Sequence, residues 1–132
     1  MAHMSLVQHI NLRFDMKQEL LPKWFKWPAE YERIKSLNLT DLEPWVFLDE
    51  SDFEFRIKGM KERYPNSDLV PFARRQDNDD VACWEKEGGN EKVVIIHDYA
   101  SSGWEKDREF PTFWGWFKQA IDDMIEYEAP YR

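Results

Sequence analysis

The sequence has a single cysteine, only five glycines, and no apolar run near the roughly 18 residues of a membrane span. One cysteine excludes an internal disulfide, and a reducing compartment, the cytoplasm, is the expected setting. No glycine-rich phosphate loop is present, and the N-terminus lacks the apolar stretch of a secretory leader. Residues 1–3 read as a cloning remnant, with Met4 as the native start. Basic residues are also in short supply: 18 Lys and Arg stand against 26 Asp and Glu, for a net charge of −8. Nucleic-acid binding rests on cationic contacts to phosphate, so no nucleic-acid partner is expected, and no membrane.

What remains is 132 residues with 42% hydrophobic content, the length of one domain, taken as residues 4–132. The acidity is lopsided. Residues 1–66 carry ten Lys/Arg and eleven Asp/Glu, whereas residues 67–132 carry eight and fifteen. Two readings stay open: excess carboxylate keeps a small domain soluble, or an acidic face steers a basic partner. Seven Trp, nine Phe and five Tyr rule out a disordered chain. Three or four large aromatics are expected to fill the core, leaving the others for its margins or a partner site.

Along the chain, Ile10, Leu12 and Phe14 alternate as in a short strand, and a helical turn then runs to Leu21, where Pro22 stops it. Lys23-Trp24-Phe25-Lys26-Trp27 precedes Pro28, a favoured first helical residue, and Tyr31, Ile34 and Leu37 line the helix that Asn38 ends. Trp45 to Leu48 is a short buried strand. Ser51-Asp52-Phe53-Glu54 fits a capping box, with Phe53, Ile57, Met60 and Tyr64 at helical spacing up to Pro65.

Leu69 to Ala73 is a strand whose Pro71 restricts it to an edge or a strand start. Gln76 to Asp80 is an acidic turn, Val81 to Trp84 a strand, Glu87 to Asn90 a hairpin loop, and Lys92 to His97 a second strand. The unbroken Val93-Val94-Ile95-Ile96 run implies burial on both faces, with a helix over one side. A long loop from Asp98 to Pro111 leads to a helix capped by Thr112. Its core stripe is Phe113, Phe117, Ala120, Ile121 and Met124, with Asp122, Asp123 and Glu126 facing water. The pattern predicts an α+β fold: a central, mainly antiparallel sheet flanked by helices.

Catalytic chemistry finds little support. Cys83 lies in a strand, without the helix N-terminus or cation that lowers a thiol pKa, and reads as buried and structural. His97 ends a strand before Asp98; a Cys–His–Asp set can be written, but a structural histidine is the simpler reading. Asp77-x-Asp79 opens like a calcium loop, yet Val81 and Gly88 occupy the fifth and twelfth positions. Zinc lacks paired Cys or His, and Ser101-Ser102-Gly103 is no nucleophile elbow. Asp79-Asp80 and Asp122-Asp123 are adjacent pairs whose side chains diverge, as solvated charges do. The aromatic–basic cluster at 23–27 could stack on bases, though a core contribution suits an acidic chain better. No catalytic residue, metal or cofactor is therefore expected.

The order of Leu69-Val70-Pro71-Phe72-Ala73, Asp80-Val81-Ala82-Cys83-Trp84, Val93 to Asp98 and Phe113 to Ile125 resembles the SUKH superfamily of Smi/Knr-like domains, over residues 45–127. Asp79 stands where that family often has Gly, and residues 1–44 are only loosely similar. The resemblance implies a non-catalytic α+β binding domain. Many such relatives are immunity proteins that neutralise a bacterial toxin, often a nuclease with a basic face. On that expectation Asp77, Asp79 and Asp80, with Trp104, Glu105, Asp107 and Glu109, would meet the cognate toxin, Trp104 as anchor and the carboxylates as steering charges. Solvated loops are the plainer reading of each residue singly. The alternatives are a regulatory or scaffold module like the cell-wall regulators of the superfamily, or a small-ligand sensor with a pocket between sheet and helices. The chain would act as a monomer or homodimer.

Overall fold

The structure, a computed structural model, describes residues 18–86, 92–101 and 103–127. The expected strand at 10–14, the hairpin loop at 87–90 and the tag remnant lie outside the described residues. After a short 3-10 turn, Gln18–Leu20, helix α1 spans Ala29–Ser36. Pro28 is its extended N-cap, so the helix begins one residue later than the sequence suggests. Its end is a Schellman motif: Leu39 N–H donates to Ile34 C=O at 3.1 Å and Asn38 N–H to Lys35 C=O at 3.0 Å. Asn38 takes the left-handed conformation this requires, with φ 58°.

Six strands follow: β1 Asp41–Leu42, β2 Trp45–Phe47, β3 Leu69–Arg75, β4 Asp80–Glu85, β5 Val93–His97 and β6 Lys106–Phe110. They form one sheet in sequence order, every neighbour antiparallel. With helices α2 (Glu50–Arg63) and α3 (Phe113–Glu126), the α+β architecture is as expected.

Three local expectations are corrected. The cap of α2 is Asp49, which accepts from Asp52 N–H at 2.8 Å, and Ser51 lies inside the first turn. Both residues can cap; Phe53 N–H closing onto Asp49 C=O at 2.9 Å sets the start two residues earlier. Strand β3 is interior, not an edge. Pro71 is tolerated because β2 pairs only with residues 73–75 and a bulge falls between Pro71 and Ala73. The stretch from Asp98 to Pro111 is not all loop, since β6 lies within it. Lys-Asp-Arg-Glu lacks apolar alternation because this edge strand bonds β5 through its backbone while its side chains are wet, and charges guard the edge. The sheet is buried on both faces, as the Val93 to Ile96 run implies.

Alternation along β4 and β5 sorts the two cores. Ala82, Trp84, Val93 and Ile95 join the larger one, with residues of α1, α3 and β2, while Val81, Cys83, Val94 and Ile96 meet Met60, Tyr64 and Leu69. The bulge turns Phe72 and Ala73 both into the larger core, where Phe72 stacks on Trp84 at 4.2 Å. Eleven aromatic residues are buried, far more than three or four. Rings that pack edge to face, such as Tyr31 on Trp84 and Trp45 on Trp116, let one aromatic layer fill the whole sheet–helix interface. The 23–27 cluster belongs to this layer: Phe25 is buried and Trp24 and Trp27 pack against it.

Candidate functional site

The β3–β4 turn and the β5–β6 loop emerge side by side at one end of the sheet. Asp80 pairs across from His97, and Asp98 N–H donates to Asp79 C=O at 3.0 Å. The loop from Asp98 to Glu105 is tied at its base. The Asp98 carboxylate is fully buried and accepts from Arg56 Nη1 at 2.7 Å and from Arg63 Nε and Nη2 at 2.8 Å each. Its Oδ1 also accepts from Tyr99 N–H at 2.8 Å, holding Tyr99 at φ 66°, and the Arg63 guanidinium lies 4.2 Å from the Tyr99 ring centroid. Burial alone would raise the Asp98 pKa; the Arg63 and Arg56 hydrogen bonds, with the Tyr99 amide, outweigh it and hold the carboxyl below its ordinary value.

The tie continues through the loop. Tyr64 OH donates to Ala100 C=O at 3.1 Å, and Glu105 accepts from Gly103 N–H at 2.6 Å. Glu105 C=O receives His97 N–H at 2.6 Å. Trp104 stands on this base, its own N–H donating to Ser101 C=O at 2.9 Å, and is 81% exposed. A large side chain so displayed, on backbone so constrained, loses little entropy when a partner covers it.

The seven sequence-derived site residues divide. Trp104, Asp79 and Asp107 are exposed around the end of the sheet. Asp77 is exposed but gives both oxygens to Arg75, at 2.9 and 2.8 Å, and those bonds lower its pKa. Asp80 and Glu105 are buried, so neither is a free steering charge. Asp80 accepts from Asn78 and pairs with His97 Nδ1 at 2.9 Å; Glu105 accepts from Gly103 N–H within its own loop and from Ser67 Oγ, at 3.5 Å, outside it. Glu109 lies further along β6, opposite Val94, and pairs with Lys92 at 2.9 Å.

His97 is the titrating group of this end. The Asp80 hydrogen bond raises its pKa above 6.5, with the charges of Asp80, Asp79 and Asp107 adding. A raised folded-state pKa gives stability that is complete below pH 6.5 and fades as pH rises through the folded-state value. Asp80→Asn should return the imidazole titration, followed by NMR, toward 6.5; an unmoved midpoint would show that Asp80 does not hold the ring.

Cys83 and His97 do not come together. Cys83 faces the smaller core opposite Val94, while His97 lies on the other sheet face opposite Asp80. Burial pushes the thiol pKa far up, the reverse of an activated cysteine. Among the described residues no group of His, Cys, Asp and Glu could hold a metal ion, and no helix is long and apolar enough to cross a membrane. A cavity of about 230 Å³ beside Pro22, Ile57, Met60 and Leu69 is smaller than the roughly 300–1,000 Å³ of ordinary ligand pockets. Comparison with protein-family models, curated proteins and solved structures finds no match.

The clamp of Asp98 by two arginines is absent from the sequence reading. Arg56 and Arg63 are seven apart, hence on one helix face, and Asp98 directly follows a strand whose first four residues, Val93 to Ile96, are buried. Those two signals together point to a buried carboxylate with cationic partners.

Proposed function

We propose that this chain is a non-catalytic, cytoplasmic protein-binding domain of the immunity type, which neutralises a toxin of the nuclease kind by covering its basic active face. The observation that carries this reading is Trp104: 81% exposed, on a loop whose base is clamped, between the acidic turn and the edge strand. Interface anchors are typically aromatic, with charges around them setting the approach. The ordered SUKH-like motifs supply the partner class. On this reading the working residues are the exposed Trp104, Asp79 and Asp107, while the buried Asp80 and Glu105 shape the surface from beneath.

The test is the association rate of the chain with its basic toxin partner, measured at low and moderate salt. Asp79→Lys with Asp107→Lys should slow association about tenfold or more at low salt and flatten its salt dependence. An unchanged rate and slope would remove this end of the sheet from the interface.

A further inference from the structure

Helix α3 carries a second apolar line beside its core stripe, and the described residues cover that line only in part. Phe113, Trp116, Phe117 and Ala120 face the core. Roughly a third of a turn away, Trp114, Ile121 and Ile125 share a second line, in which Ile121 is partly buried against the core, as the sequence reading has it. Trp114 is 37% exposed, Met124 37% and Ile125 70%. The sequence reading places Met124 in the core; the structure leaves it outside. Asp123, read as facing water, is instead enclosed: it accepts from Trp45 Nε1 at 2.9 Å and Gln119 Nε2 at 3.0 Å. The charges that do flank the outer stripe are Lys118 and Asp122, both on the side away from Met124.

We propose that this stripe is the seam of a two-fold homodimer, an interface separate from the Trp104 end. The argument is self-complementarity. A two-fold axis crossing α3 at right angles near residue 120 packs the helix antiparallel on its copy. It keeps each flank facing the same flank and reverses position along the axis. Trp114 then meets the partner's Ile125, Ile121 meets its own copy near the axis, and Lys118 meets the partner's Asp122. Every contact occurs twice, apolar on apolar and cation on anion, as an isologous interface requires. A parallel pairing offers no such match, because it sets opposite flanks against each other. A bilayer is a poorer occupant: interfacial helices are rich in Lys and Arg, and this stripe is edged by one of each sign on an acidic chain.

Fourteen residues give a helix about 21 Å long, and a seam about 10 Å wide along it buries less than the roughly 800 Å² per partner of a standard interface. The dimer is therefore weak and concentration-dependent.

The experiment is sedimentation equilibrium of the full chain from about 5 μM to 1 mM, with circular dichroism confirming that each variant is folded. The wild type should pass from monomer to dimer. Lys118→Glu and Asp122→Lys should each, alone, raise the dissociation constant about tenfold or more, since each sets like charges together twice. An equal mixture of the two variants should recover dimer to within about threefold of wild type, because each then supplies the charge the other lacks. A wild type monomeric at 1 mM overturns the proposal. So does a dimer that both single variants leave intact, or a mixture that recovers nothing.

Discussion

Replacing Asp98 with Ala should lower stability by about 3 kcal/mol, as a buried ion pair does when one partner is removed. Its carboxylate is fully enclosed, while the side chains of Arg56 and Arg63 keep 16% and 26% exposure. The variant therefore strands two guanidinium groups and the Tyr99 amide at once, and water rescues the arginines only in part. The same logic predicts that changing Asp98, Arg56 and Arg63 together to apolar residues costs less than Asp98→Ala alone. Urea unfolding measures both, and a triple variant less stable than the single one would contradict the account of the clamp. A matching pH effect follows from the depressed Asp98 pKa. The stability is present above the ordinary carboxyl value of 3.8 and is lost as pH falls through the lower folded-state value. Loop amides from Tyr99 to Trp104 should then exchange faster in Asp98→Ala than in the wild type by more than the global loss of stability requires.

Trp104→Ala should weaken partner binding by about 2 kcal/mol or more, roughly thirtyfold, while changing stability by less than about 0.5 kcal/mol. The separation is the point. Trp104 makes its described loop contact through the backbone, Trp104 N–H to Ser101 C=O, so its indole contributes little to folding and is available to a partner. Asp98→Ala should also weaken binding, by releasing the loop that displays Trp104, but with a large stability cost. Titration calorimetry beside thermal melts separates the two. Equal affinity of Trp104→Ala and wild type would leave the indole outside the interface.

The legible parts of the fold were those written in side-chain periodicity. Phe53, Ile57, Met60 and Tyr64 placed α2, and the Val93 to Ile96 run gave a strand buried on both faces. Thr112 capped α3 as expected, accepting from Gly115 N–H at 3.0 Å. Strand β6 was hidden because its stabilising interactions lie in backbone pairing with β5, which Lys106 to Glu109 do not advertise. Pro71 misled because a bulge removes the penalty that proline carries in a regular ladder.

For the site, side-chain chemistry identified which residues are charged or aromatic but not which are already satisfied. Asp80 and Asp79 are neighbours in sequence with the same chemistry, yet one is buried against His97 and the other is exposed. Burial at a strand's first residue depends on the cross-strand partner, and that pairing was not visible without the sheet register. Trp104 is legible as a large aromatic in a polar loop, whereas the arginine clamp beneath it emerges only when the Arg56/Arg63 spacing and the Asp that follows the apolar strand are read together.

The measurement that tests the central claim most directly is paired affinity capture from the host's own lysate, with the wild-type chain and Trp104→Ala as baits, at low and high salt. Retained proteins are identified by mass spectrometry. The account predicts one basic protein with a toxin-like domain held by the wild type, less at high salt, and lost with Trp104→Ala. The same proteins retained equally by both baits would contradict it.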